Sequence, residues 1–218
     1  MKTVRILVAL ALGLGVTACA SIDTATRNAP LESASALADD APSAAVRSIS
    51  VQSYVVKVPR SLKVSEANSY YPMGDIVWRE DPLGDRHQQI AAIFDESLSR
   101  ATADMSGALP VTAEIVVKRF HALTEKTRYT IGGVHSIRFE LILRDPETGI
   151  AIMPPREIRA DLKGFGGSRA IEAEQKGITQ KVRITQHLAN VIRMELDNPG
   201  SAPKGVAQLV AGVDDNAV

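Results

Sequence analysis

Residues 85–123 read DRHQQIAAIFDESLSRATADMSGALPVTAEIVVKRFHAL, and the hydrophobic period changes once within them. Up to Met105 the apolar residues Ile90, Phe94, Leu98, Ala101 and Met105 recur at helical spacing, with Ile93 and Ser97 beside them. Asp85 stands in the N-cap position, Gln88 completes a capping-box pattern, and Gly107 stops the helix. Arg86, Asp95, Glu96 and Arg100 fall on the side expected to face water. From Leu109 the period drops to two, with Val111, Ala113, Ile115 and Val117 alternating with Thr112, Glu114, Val116 and Lys118. A helix feeding a long strand makes the domain a mixture of both; the flanks decide the arrangement.

Downstream, a polar gap over Thr124–Thr130 precedes a second clean strand, in which His135, Ile137, Phe139, Leu141 and Leu143 alternate with Ser136, Arg138 and Glu140. Asp145-Pro146-Glu147-Thr148-Gly149 reads as a hairpin loop, with Gly149 free to take a positive φ. Ile150–Met153 returns, Pro154-Pro155 marks an edge or a bulge, and Ile158, Ala160 and Leu162 alternate again. These strands suggest an antiparallel meander. A last helix starts between Ser168 and Thr179, with Gly177 separating a short first turn, and carries Ile178, Val182, Thr185, Leu188, Ala189, Ile192 and Leu196 as its apolar stripe.

Upstream, Ser48–Val58 is a strand with apolar residues on both sides, which predicts a central position covered on both faces. Between it and Asp85 lies a long connection holding Tyr70, Tyr71 and Trp78, punctuated by Pro72, Gly74, Pro82 and Gly84; Ile76–Trp78 adds a short strand. Connections of this length inside a compact domain are often functional. Tyr70, Tyr71, Trp78 and Arg79 are therefore candidate partner-binding residues, with a lid over an open end of the core as the other reading. The expected class is α+β: a mainly antiparallel sheet of about four strands with two helices on one face, in the order β-α-β-β-β-α.

The first nineteen residues, MKTVRILVALALGLGVTAC, have the organisation of a secretory signal peptide: Lys2 and Arg5, a short apolar core, then small residues before Cys19. Val16-Thr17-Ala18-Cys19 resembles a bacterial lipobox, which implies cleavage after residue 18 and lipid, such as palmitate, on Cys19. Residues 19–45 read as a tether with a typical reach on the order of 25–30 Å. One globular domain follows over 46–197, then a disordered tail over 198–218. Ala20 after the cysteine resembles the pattern of lipoproteins sent to the outer membrane, facing the periplasm.

Composition narrows the function. The 218 residues carry 25 basic and 25 acidic side chains, so nucleic acid is not an expected partner. A single cysteine excludes an intrachain disulfide and a thiolate metal cluster. The four histidines, His87, His121, His135 and His187, lie on separate elements with no ligand spacing, so no metal or cofactor is expected. Gly164-Phe165-Gly166-Gly167-Ser168 resembles a phosphate-cradling loop but lacks the Walker ending, and a tight strand-to-helix turn explains its glycines. Arg156, Arg159, Lys163 and Arg169, with Lys176, Lys181 and Arg183 nearby, outnumber the local acids and form a candidate face for an anionic partner.

The lipobox, the run KVSEANSYYPMGDIVWREDPLGDRH and the later ITQKVRITQHLANVI resemble a group of alphaproteobacterial envelope lipoproteins known only as a domain of unknown function. The resemblance spans roughly Val46 to Leu196 and implies no catalytic residue. The expectation is a membrane-anchored, non-enzymatic binding or assembly module for a protein partner in the envelope. A lipid or amphiphile carrier is the alternative, and an envelope hydrolase a further one.

Overall fold

The computed structural model describes residues 48–199; the leader, Cys19, the tether and the tail beyond Pro199 lie outside them. Its strands are β1 (Ile49–Lys57), β2 (Ile76–Val77), β3 (Leu109–His121), β4 (Gly133–Arg144), β5 (Arg156–Arg159) and β6 (Leu162–Gly164). Together they make a six-stranded sheet along the path β1-β3-β4-β5, with β2 on β3 and β6 on β4. β1 runs parallel to β3 along Leu109–Val116, and β2 runs parallel to its far end at Phe120 and His121. On the other side, β3 and β4 pair antiparallel, as do β4 with β5 and β4 with β6. The α+β class stands as expected, but the sheet is mixed and longer than the expected four mainly antiparallel strands.

The helices are α1 (Arg86–Thr102), α2 (Glu125–Arg128), α3 (Ser168–Gln175) and α4 (Gln180–Asp197). α1 and α4 pack side by side and share one core with the sheet. Ile90, Phe94 and Leu98 from α1 and Ile184, Leu188 and Ile192 from α4 meet Val111, Ala113, Ile115 and Val117 of β3 and Ile137, Phe139 and Leu143 of β4. Each large apolar side chain buried here stabilises the fold by about 1.5–3 kcal/mol. Phe94 stands edge-on to Phe120 and Phe139, with ring centroids 6.3 and 5.4 Å apart. Ser97 and Thr185 keep the helix crossing close, and Ser97 Oγ donates to Thr185 O at 3.2 Å. The other face of the sheet is polar. Glu114 sits there between Lys57 and Arg144, at 2.6 and 2.7 Å.

Four local expectations need correction. β1 is an edge strand with Tyr54 and Val55 36% and 46% exposed, because β-branched and aromatic residues suit a pleated surface whether or not it is covered. Ile150–Met153 makes no strand beyond a single bridge from Ala151 to Arg144. The polar gap contains α2, whose first turn is capped by the Thr124 side chain accepting from Thr127 N. In α4 the expected Thr185, Leu188, Ala189, Ile192 and Leu196 are buried and Ile184 and Val191 join them, while Ile178 and Val182 are exposed. That helix begins after Thr179, which caps it, so Ile178 lies outside its period.

Other signals hold. Asp85 accepts from His87 N and Gln88 N, Gly149 has φ 70°, and Gly177, at φ 74°, separates α3 from α4. In the Gly164–Gly167 turn a Cβ on Gly166 would stand 2.3 Å from Gly132 N, so two backbones pass there without side chains.

Candidate functional site

Where β3 ends and β4 begins, one end of the sheet collects the long connection, α2, the Gly164–Gly167 turn and the starts of α3 and α4. The connection is tied down by ion pairs. Arg86 is 4% exposed and holds Glu66 through Nε and Nη2, at 2.7 and 3.0 Å. Its Nη1 donates to Asp81 O, Pro82 O and Gln89 Oε1. Arg86 was expected in water; instead it closes the loop onto the helix. The signal was there in principle, since a cation in the first turn opposes the helix dipole and needs a compensating partner. Glu80 and Asp81 continue the network: Glu80 accepts from Arg128 and from Lys181 N, and Asp81 pairs with Lys181 Nζ at 2.8 Å.

Trp78 is fully buried, edge-on to Phe120 at 5.7 Å, and its Nε1 donates to Asp81 Oδ2 at 2.7 Å. It therefore covers the core, as the lid reading has it, and presents nothing to a partner. Arg79 is engaged within the chain, with Nε on Glu125 Oε2 at 2.6 Å and Nη1 on Glu66 O. Tyr70 is 39% exposed beneath Lys126 Nζ, which lies 4.7 Å from its ring centroid.

Tyr71 and Met73 are different: 85% and 90% exposed. The backbone carrying them is held on both sides of each. Thr124 Oγ1 donates to Ser69 O, Thr127 Oγ1 to Tyr70 O, and Arg119 Nη1 to Gly74 O. His121 Nε2 bonds Pro72 O at 3.0 Å. Asp75 Oδ2 accepts from Lys63 N, and Asp75 N and Ile76 N both donate to Lys63 O. The result is a stiff tip displaying two large apolar side chains.

A separate recess is lined by His135, Arg128, Glu174, Gln180, Arg183 and Phe165, among others. Its volume of about 10 Å³ suits about one water, not an acyl chain. Burial, then the charges of Arg183 and Arg128, push the His135 imidazole down to about 3, and its Nδ1 accepts from Leu123 N. His187 is also pushed down by burial. Glu174 is engaged by Arg128 at 3.0 Å and by Tyr129 at 2.9 Å. Among the described residues no group of three or more His, Cys, Asp and Glu side chains is placed to hold a metal.

The predicted basic face is divided. Arg156 pairs with Glu195 at 2.8 Å and leaves that face. Arg159 and Lys163 are exposed on β5 and β6. Arg169 lies over the Phe165 ring, 4.4 Å from its centroid, and Arg183 lies over the same ring at 3.6 Å. Arg183 was legible only as one of several nearby cations; nothing in its spacing pointed to Phe165.

No helix among the described residues is long and apolar enough to cross a membrane. Among solved structures, the chain is similar to a "putative lipoprotein" from Caulobacter crescentus CB15, at 16% identity and a TM-score of 0.29, covering 49% of this chain and 80% of that one. It is also similar to protein XCC0632 of family DUF330 from Xanthomonas campestris, at 13% identity and a TM-score of 0.42, covering 72% and 87%. An uncharacterised protein matches at 22% identity and a TM-score of 0.34, covering 69% and 92%. At such scores the likenesses carry no functional argument. No curated protein matches the chain. The family model that does match covers residues 49–212, and the chain belongs to that family, the family of unknown function DUF6778.

Proposed function

We propose that the chain is an envelope lipoprotein, anchored through lipid on Cys19 at the outer membrane and facing the periplasm, whose domain is a non-enzymatic binding module for a protein partner. The observation that supports binding is the stiff tip. Tyr71 and Met73 are nearly fully exposed on backbone already fixed by hydrogen bonds from β3 and α2. An apolar anchor held in its binding geometry loses little entropy on association, which is how a few residues come to dominate an interface. The leader sequence supports the anchor.

A photo-crosslinking residue placed at Met73 in living cells tests the module, with the exposed position Glu96 on α1 as control. The expected result is a discrete protein adduct from position 73 and none from 96. Adding Tyr71→Ala should lower the adduct yield by about tenfold or more. Equal adducts at both positions, or none at 73, would remove the reading. Radiolabelled palmitate tests the anchor separately: the label should enter the wild-type chain and be lost from Cys19→Ala.

A further inference from the structure

The pair of guanidinium groups on Phe165 is left without a counter-charge. Arg169 and Arg183 share one ring, and neither has a carboxylate at salt-bridge distance among the described residues. Three other arginines at this end of the sheet are neutralised: Arg79 by Glu125, Arg86 by Glu66, and Arg128 by Glu80 and Glu174. Arg183 is half-buried, and among the described residues its guanidinium makes one hydrogen bond, to a neutral acceptor, Lys163 O, at 2.8 Å. That bond ties Arg183 to the backbone of β6. Burial, then the charge of Arg169, work against the protonated form of Arg183, and its charge is felt in turn by His135 and His187. Two like charges held together and partly desolvated repel strongly unless an anion joins them.

We infer that Arg169 and Arg183, gathered on Phe165, form a binding site for a phosphate-type oxyanion. Planar guanidinium groups donate in pairs to phosphate oxygens, and two of them match the several acceptor oxygens of such a group. Both guanidinium groups lie close to the Phe165 ring, whose π face attracts each of them and holds the two cations near one another. The adjoining recess has room for about one water, so the anion sits at its mouth. This site does not depend on the Tyr71–Met73 tip. The same oxyanion chemistry belongs to a free phosphomonoester and to a phospholipid headgroup at the surface where the chain would be anchored.

The test uses the full chain in neutral detergent, with the arginine Nε–H signals followed by NMR. Inorganic phosphate is titrated in one arm and dihexanoyl-phosphatidylglycerol, below its micelle concentration, in the other, each against chloride at matched ionic strength. Saturable shifts of the Arg169 and Arg183 signals in either arm support the site, and the arm that binds more tightly identifies the source. Arg169→Gln should weaken binding about tenfold, the loss of one charge-assisted contact of about 1.4 kcal/mol. Arg169 is exposed and has no hydrogen bond to a buried group, so this variant should keep the wild-type melting temperature even if Arg183→Gln does not fold. No saturable shift in either arm, shifts reproduced by chloride, or unchanged affinity in Arg169→Gln would each overturn the assignment.

Discussion

Arg86 shows how one side chain can position a whole surface. Its guanidinium reaches four separate groups of the connection and α1, so it fixes the loop that carries the exposed tip to the helix beside the core. Arg86→Met keeps most of the stem but takes the donor from Asp81 O, while Pro82 O keeps Gln89 Nε2, and it releases Glu66, whose side chain is 43% exposed. Because Glu66 then finds water, the cost falls below that of a fully buried broken pair, at about 2–3 kcal/mol. Urea unfolding should show that loss. Limited proteolysis should show new cleavage within residues 61–84 under native conditions. A variant as stable and as protease-resistant as wild type would mean that the loop is held by its backbone pairing with β3 alone.

At the scale of elements, the position of β1 decides what its residues do. As a central strand it would bury Val55; as an edge strand it leaves Val55 46% exposed on the polar face, in register with Glu114. Val55→Lys should therefore change stability by less than about 0.5 kcal/mol, and the new ammonium would stand beside a carboxylate. Val117→Lys, on the core face of β3 with no exposure, should prevent folding, because an unpaired charge would be buried there. Thermal melts of the two variants separate the arrangements. The reason β1 was misplaced from sequence is physical. Apolar residues on both sides of a strand measure β-propensity as well as burial, and only pairing partners distinguish a centre from an edge. Helix α1 was legible because its period and its Asp85 cap agree, although it ends at Thr102, ahead of the expected stop at Gly107 and without Met105. The tip was half legible: composition singled out the connection, but whether each ring packs or protrudes is set by contacts with β3 and α2. Trp78 and Tyr71, seven residues apart, thus ended in opposite environments. The Phe165 stack was not legible at all, since it joins a turn to side chains from the two separate helices that follow it in the chain.

Across the whole molecule, the buried histidines couple folding to pH in a direction the structure fixes. His135 is neutral when folded because burial and the Arg183, Arg128 and His187 charges around it disfavour the imidazolium, and its value falls from 6.5 to about 3. The unfolded chain, with an ordinary imidazole, binds that proton near pH 6.5. Between those two values the unfolded state holds one more proton than the folded state, so stability falls as pH falls, by about 1.4 kcal/mol per unit at the full slope. From pH 7 to pH 5 the integrated loss from this one group is about 2 kcal/mol. His187 adds to it in the same sense, since burial also pushes it down. The carboxylates held low by ion pairs, Glu114 by Lys57 above all, lose their contribution only at more acidic pH. Urea denaturation of the full chain at half-unit steps from pH 7 to pH 5 isolates the histidine contribution. His135→Asn keeps an acceptor for Leu123 N while removing the titrating ring. It should lose about 2 kcal/mol less than wild type over the same range, retaining only the His187 part of the slope. If the two slopes coincide, His135 carries its proton in the folded protein, and its burial does not disfavour the imidazolium as argued.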